Sequence, residues 1–297
     1  MAAPKVQTYE HAEIRVRDLG AALDFYMGVM GLHELAREDG VVYLGCGYDE
    51  NYDLAVTKGG TGLAHFGVRV DDEEALERYA ARLADAGLAT QRRDGAEPGQ
   101  ERAIRFEVPG GLQMELVLVA DNRYLETYRP ARTPRGIAPL DGDHVNVMST
   151  DVKGLSEFLR DVLDFKWSDV IVMEDGHWAA SWVRMSGSHH DVGVFGTDDA
   201  SVTLHHLAWT FSSFDHMKNA ADMLAAAGLR LELGMSRHPV GANLYAYFWE
   251  PGGNRFEFTC EGAVLDPRTP PRFWEGFKDT LDAWGDPIVP ETFRKGS

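Results

Sequence analysis

The sequence predicts an α+β fold of two tandem domains, each built from paired βαβββ modules that form one cupped sheet. Three observations lead there. The chain repeats itself at a nearly constant spacing. Strand-like and helix-like patterns follow in the same order in every repeat. The same histidine and glutamate positions recur in both halves.

The first module, near 8–57, opens with the strand-like "EHAEIRV", a short turn and an amphipathic helix through "AALDFYMGVMGL". Its counterpart near 142–197 opens with "DHVNVMSTDVKGLSEFLRDVLDF"; an offset of 133 residues puts His144 on His11, Asp151 on Asp18 and Phe158 on Phe25. The second module, near 62–119, begins with "LAHFGVRV", and the fourth, near 203–260, with "LHHLAWTF"; an offset of 141 puts His206 on His65. Each continues into a helix that stops at a glycine, Gly87 or Gly228, the residue that tolerates a left-handed helix end. Each closes on a hairpin with a Pro-Gly-Gly turn, and an offset of 142 puts Glu257 on Glu115. The expected organisation is a first domain over 1–128, a Pro- and Gly-rich linker over 129–141, a second domain over 142–265 and a tail over 266–297. The tail holds Pro267, Pro270 and Pro271, followed by a Trp-containing stretch that reads as helical.

Composition narrows the function classes. Hydrophobic residues are 44% and charged residues 26%, as in a soluble globular protein, and no run of eighteen apolar residues suggests a membrane span. A net charge of −18 repels phosphate backbones and anionic lipids, so nucleic acid and membrane are not expected partners. Cys46 and Cys260 match no metal or redox spacing and read as reduced thiols in a cytoplasmic protein without a secretory signal.

The second half carries the candidate chemistry. His144 opens its first strand, His206 lies on the strand opening its second module, and Glu257 sits between Phe256 and Phe258 on its last strand. Strand side chains alternate, so Glu257 points away from the face of the two phenylalanines. Two imidazoles and a carboxylate with open positions suit Fe(II) or Mn(II), and zinc on ligand type alone. A single strand histidine is ordinarily structural; the recurrence of all three positions favours a site. Alternation and the match to His65 select His206 over His205. His190, His238 and Tyr247 add groups able to exchange protons or hydrogen-bond a ligand. The first-half set, His11, His65 and Glu115, reads as a relic, with a second metal as the alternative; Arg105 stands where the second half has Tyr247.

These residues resemble the two-domain, type I extradiol ring-cleaving dioxygenases of the vicinal oxygen chelate superfamily, over nearly the whole chain. The most specific stretch is "HPVGANLYAYFWEPGGNRFE", which departs from the family pattern at Ala246. The resemblance implies His144, His206 and Glu257 as iron ligands, and His190 as the histidine of oxygen activation and proton transfer. It implies His238 and Tyr247 as hydrogen-bond partners of substrate. Asn146, Trp182 and the tail "LDAWGDPIVP" are similar to the homoprotocatechuate 2,3-dioxygenase branch, where the tail covers the active site. That branch grips a substrate carboxylate with arginines where this chain has Leu233, Thr280 and Leu281. The expected substrates are therefore dioxygen and a catechol without an acidic side chain, and the expected assembly is a homotetramer. Rival readings are a metal-dependent isomerase or lyase of the same superfamily and a protein that sequesters an aromatic ligand.

Overall fold

The structure, a computed structural model, describes residues 9–121 and 128–297. Residues 1–8 and 122–127, both within the expected first domain, lie outside the described residues.

The first half runs β1 (Tyr9–Val16), α1 (Leu19–Leu23) continued by a π-helical stretch (Asp24–Met30), β2 (His33–Glu38), β3 (Val41–Gly45), β4 (Leu54–Lys58), β5 (Leu63–Arg69), α2 (Glu73–Asp85), β6 (Thr90–Arg92), β7 (Gln100–Glu107) and β8 (Gln113–Val119). The second repeats this as β9 (Asp141–Ser149), α3 (Val152–Leu163), β10 (Lys166–Val172), β11 (Trp178–Arg184), β12 (Val192–Gly196), β13 (Leu204–Thr210), α4 (Phe214–Ala226), β14 (Leu231–Arg237), β15 (Leu244–Trp249) and β16 (Arg255–Cys260). Four βαβββ modules are present. The repeated aspartates Asp18 and Asp151 are helix N-caps, accepting from the backbone N–H groups of Ala21 and Gly154. Gly87 and Gly228, with φ of +79° and +82°, follow the ends of α2 and α4.

Each half forms one sheet, in which two modules join through their first strands. The orders are β2-β3-β4-β1-β5-β8-β7-β6 and β14-β15-β16-β13-β9-β12-β11-β10, with the tail adding β17 (Arg272–Glu275) beyond β10. The joins β1/β5 and β9/β13 are antiparallel, and their flanking pairs are parallel. One apolar core runs through both halves and includes Tyr26 stacked on Phe256. The Pro-Gly-Gly turns brace the halves against each other. A side chain at Gly252 would strike Val16, and one at Gly110 would press on Ser149. Among the described residues no helix is long and apolar enough to cross a membrane.

The tail departs from its expected helix. Phe273, Phe277, Leu281 and Trp284 have helical spacing, but Arg272–Glu275 instead pairs in parallel with Asp169–Val172 of β10. Consecutive prolines at 270 and 271 favour extended backbone where the strand begins. The open edge of β10 offers backbone partners, and Trp274 Nε1 donates to Asp169 Oδ1 at 2.5 Å.

Candidate active site

His144, His206 and Glu257 lie on the three neighbouring strands β9, β13 and β16. Register brings them together. Ala208 pairs with His144 on one side and Glu257 on the other, and His206, two residues before it, shares its face. The small Ala208 side chain leaves the space above it to the three longer ones. His144 Nε2 is 3.2 Å from His206 Nε2 and 3.3 Å from Glu257 Oε2, and His206 Nε2 is 3.0 Å from Glu257 Oε2. Donors bound at about 2.1 Å and at right angles around one ion are about 3 Å apart. The donor set and its spacing therefore fit a divalent cation held on one face, with the opposite positions open. Burial pushes the Glu257 carboxyl up, but with no ion present the facing His144 and His206 rings, when protonated, outweigh it and hold the group well below the usual carboxylate range.

Partners behind the rings set which nitrogen faces the site. His144 Nδ1 meets Asp143 Oδ1 at 2.8 Å, leaving Nε2 toward Glu257. His205 Nε2 faces the Phe293 carbonyl at 2.8 Å and so carries a proton. Its Nδ1 then accepts from His206 Nδ1 at 2.6 Å, which fixes the His206 lone pair on Nε2. Alternation would have sent His205 to the opposite face. A bulge prevents that: the pairing slips between Leu204 and His206, and two residues oppose one. Asn243, on the loop before β15, donates from Nδ2 toward Glu257 Oε1 at 3.3 Å and to Thr259 Oγ1 at 2.9 Å.

The remaining candidates surround this cluster. The His190 ring lies 4.0 Å from that of His144. His190 Nδ1 meets His189 Nδ1 at 2.9 Å, and His189 Nε2 meets Asp169 Oδ2 at 2.5 Å. His238 Nδ1 donates to the Leu281 carbonyl at 2.6 Å, so its Nε2 accepts from the Tyr247 hydroxyl at 2.9 Å. Tyr247 is directly opposite Glu257 across the β15/β16 pair. Burial, reinforced by the Glu257 charge, pushes the Tyr247 hydroxyl well above its usual range, so it keeps its proton at neutral pH. Burial lowers His238 below the ordinary histidine value.

His144, His206, Glu257, His190, His238 and Tyr247 open onto one cavity of about 970 Å³, which Asn146 and Trp182 also line. Asn146 Oδ1 is buried there without a hydrogen-bond partner among the described residues. The walls include Ile171, Trp178, Phe195 and Val240, and the tail contributes Phe277, Leu281 and Phe293. Leu233 packs with Tyr245, Tyr247, Phe293 and Leu281. His189, Asp169, His205 and Asn243 carried no repeat signal, since none has a chemical equivalent at the matching first-half position.

The first-half residues converge as well. His11, His65 and Glu115 are joined by Glu97 from the loop before β7, a position with no periodic signal in the sequence.

Residues 8–116 and 142–258 each match the Glyoxalase/Bleomycin resistance protein/Dioxygenase superfamily. A manganese-dependent 2,3-dihydroxybiphenyl 1,2-dioxygenase from Geobacillus genomosp. 3 is 28% identical over 288 residues, covering 91% of this chain and 90% of the relative. A metapyrocatechase from Geobacillus stearothermophilus is 28% identical, covering 89% and 84%. The anaerobic substrate complex of homoprotocatechuate 2,3-dioxygenase from Brevibacterium fuscum superposes with a TM-score of 0.85 at 27% identity, covering 99% and 93%. The chain belongs to the Glyoxalase/Bleomycin resistance protein/Dioxygenase superfamily. Within it, the protein is an extradiol ring-cleaving dioxygenase, which sets aside the isomerase and ligand-sequestering readings.

Proposed function

We propose that the protein opens the ring of a catechol with an uncharged substituent, next to the diol, using dioxygen and an Fe(II) ion held by His144, His206 and Glu257. The convergence of these three donors on the floor of the cavity, within 3.3 Å of one another, carries the reading. The same ligands suit Mn(II), and the Geobacillus genomosp. 3 relative is named manganese-dependent. When bound, the metal supplies Lewis acidity that favours the ionised catechol, and adjacent positions for the two substrates.

The chain's own residues supply the rest. His190 exchanges a proton with the substrate at Nε2, because Nδ1 is committed to His189, which Asp169 in turn orients. The protonated Tyr247 hydroxyl and His238 hold the polar edge of the ring, and Asn146 Oδ1 accepts from a substrate hydroxyl. Trp182 and the apolar wall fix the ring plane. The tail, taken as 266–297, closes over the cavity with Phe277, Leu281 and Phe293 and excludes water. The first domain, 1–128, and the linker, 129–141, brace the catalytic domain, 142–265.

An uncharged substituent fits the charges present. Leu233, Thr280 and Leu281 offer no cation, and the cavity borders carry Asp151, Asp198, Asp279, Asp282 and Asp286 against Lys153, Lys278 and Arg294. A carboxylate buried there would lack a dedicated partner. Both cysteines are free and buried, which suits a cytoplasmic enzyme, and a homotetramer is the family expectation.

The test is a panel of substituted catechols, under air, with metal-free protein reloaded with Fe(II) or Mn(II), followed by the yellow ring-fission product. Alkyl- or aryl-catechols should exceed homoprotocatechuate in kcat/KM by at least tenfold. Equal values would overturn the substrate assignment, and activity restored by Mn(II) alone would overturn iron.

A further inference from the structure

The first half repeats the ligand geometry but changes one residue within it. His11 on β1, His65 on β5, Glu115 on β8 and Glu97 offer donor atoms within 4.8 Å of one another, and all four are buried. His11 is 0% exposed and, among the described residues, neither ring nitrogen has a hydrogen-bond partner; its Nε2 faces Glu115 Oε2 at 3.5 Å. Gly67 pairs with both His11 and Glu115, as Ala208 pairs with His144 and Glu257. Arg105 is opposite Glu115, as Tyr247 is opposite Glu257.

The Arg105 side chain enters the cluster. Its Nε donates to Glu115 Oε1 at 2.9 Å and its Nη2 to Glu97 Oε1 at 2.7 Å. The same Nη2 lies 2.9 Å from His65 Nε2. A guanidinium nitrogen only donates, so His65 must present its lone pair at Nε2 and carry its proton on Nδ1, 3.1 Å from Glu13 Oε2. The lone pair that would bind a metal is therefore engaged by Arg105. Arg93 adds a second guanidinium, 3.2 Å from Glu97 and 3.4 Å from Glu115. Two arginines already balance the two carboxylates among the donors, and a divalent ion would place further positive charge directly beside Arg105.

We propose that Arg105 is the resident cation of a latent metal site. With Arg105 in place the first half binds no metal ion. Without its side chain, His11, His65, Glu115 and Glu97 take one first-row divalent cation, such as Mn(II), Co(II) or Zn(II).

The experiment reads metal content rather than activity, in a full-length Glu257→Ala background that disables the second-half cluster. Protein loaded with Co(II) or Mn(II) and desalted is analysed for bound metal. Glu257→Ala alone should hold close to no metal. Adding Arg105→Ala should raise this to about one equivalent per chain, and adding His11→Ala should abolish it again, as expected for a three-to-four-donor site. Metal retained by Glu257→Ala and lost on His11→Ala would overturn the proposal by showing a site already open. No metal in a folded Glu257→Ala/Arg105→Ala protein would overturn it equally. Should Arg105→Ala fail to fold, Arg105→Gln, which removes the charge but keeps an amide donor toward Glu115, is read in the same way.

Discussion

At the scale of single residues, the site depends on which ring nitrogen each histidine is made to present. His144, His206 and His238 each have the nitrogen distal to the site tied to a carboxylate, a neighbouring ring or a carbonyl. His190 is tied by Nδ1 to His189 and is placed beside the cluster without joining it. His190→Asn should therefore keep its metal while kcat falls on the order of 10²–10⁴-fold, the usual reach of a general acid or base. Metal analysis beside steady-state kinetics checks this, and loss of metal in the variant would make His190 a ligand. Ala208 contributes no donor, yet the three donors meet above it. Ala208→Leu should overfill that space, at about 1–3 kcal/mol of stability, and lower metal affinity at least tenfold. Chelator competition with the variant measures the loss.

At the scale of elements, the tail and β13 form one unit with the site. Arg255 on β16 is fully buried and ion-paired with Glu232 at 2.6 Å. It also donates to the carbonyls of His205, Thr292 and Lys295. The tail residue next to Thr292, Phe293, gives its own carbonyl to His205, so the tail's position reaches His206 through one intervening ring. Arg255→Ala strands Glu232, whose side chain is 6% exposed, and releases three carbonyls. Urea melts should show a loss of about 3–5 kcal/mol, the range for breaking a buried pair from one side. A change below 1 kcal/mol would mean that the tail is held by its apolar contacts instead.

At the scale of the whole molecule, the halves meet at an acidic junction. Asp53 accepts from the Cys46 N–H at 2.7 Å and the Gly142 N–H at 3.2 Å, linking the end of the first module to β9. Burial, then the charges of Asp53 and Glu10, push the nearby Asp49 carboxyl up to about 8. Burial and Asp53 also raise Asp141 well above the usual range. An unfolded Asp loses its proton near pH 4, at about 3.9. Between that value and about 8 the folded chain binds more protons than the unfolded one, so this group's contribution to stability is greatest in acid and declines as pH rises to about 8. Asp49→Asn should be more stable than the parent by a margin that grows from pH 5 to pH 9, on the order of 1 kcal/mol. Melts at the two pH values test the sign; a margin that shrinks with pH would refute it.

Much of the molecule was legible in the sequence because repetition carries information that single residues lack. The offsets that put His144 on His11 and Glu257 on Glu115 located four modules and three candidate ligands at once, and period-two alternation gave Glu257 a face of its own. Local pattern could not reach what depends on an irregularity or a distant partner. A one-residue bulge turned His205 toward the site, against the alternation rule. The tail's helical spacing lost to the open edge of β10 and the prolines before it. Glu97 came in from a loop without periodicity, and Arg105 took a place among metal-type ligands that its residue type did not announce. The sequence by itself determined the repeat, the order of elements within each module and the chemical types available. Only the tertiary structure decided which half keeps its imidazole lone pairs facing an open cavity and which half closes on a guanidinium, because charge balance in a buried cluster is set by every group that reaches it.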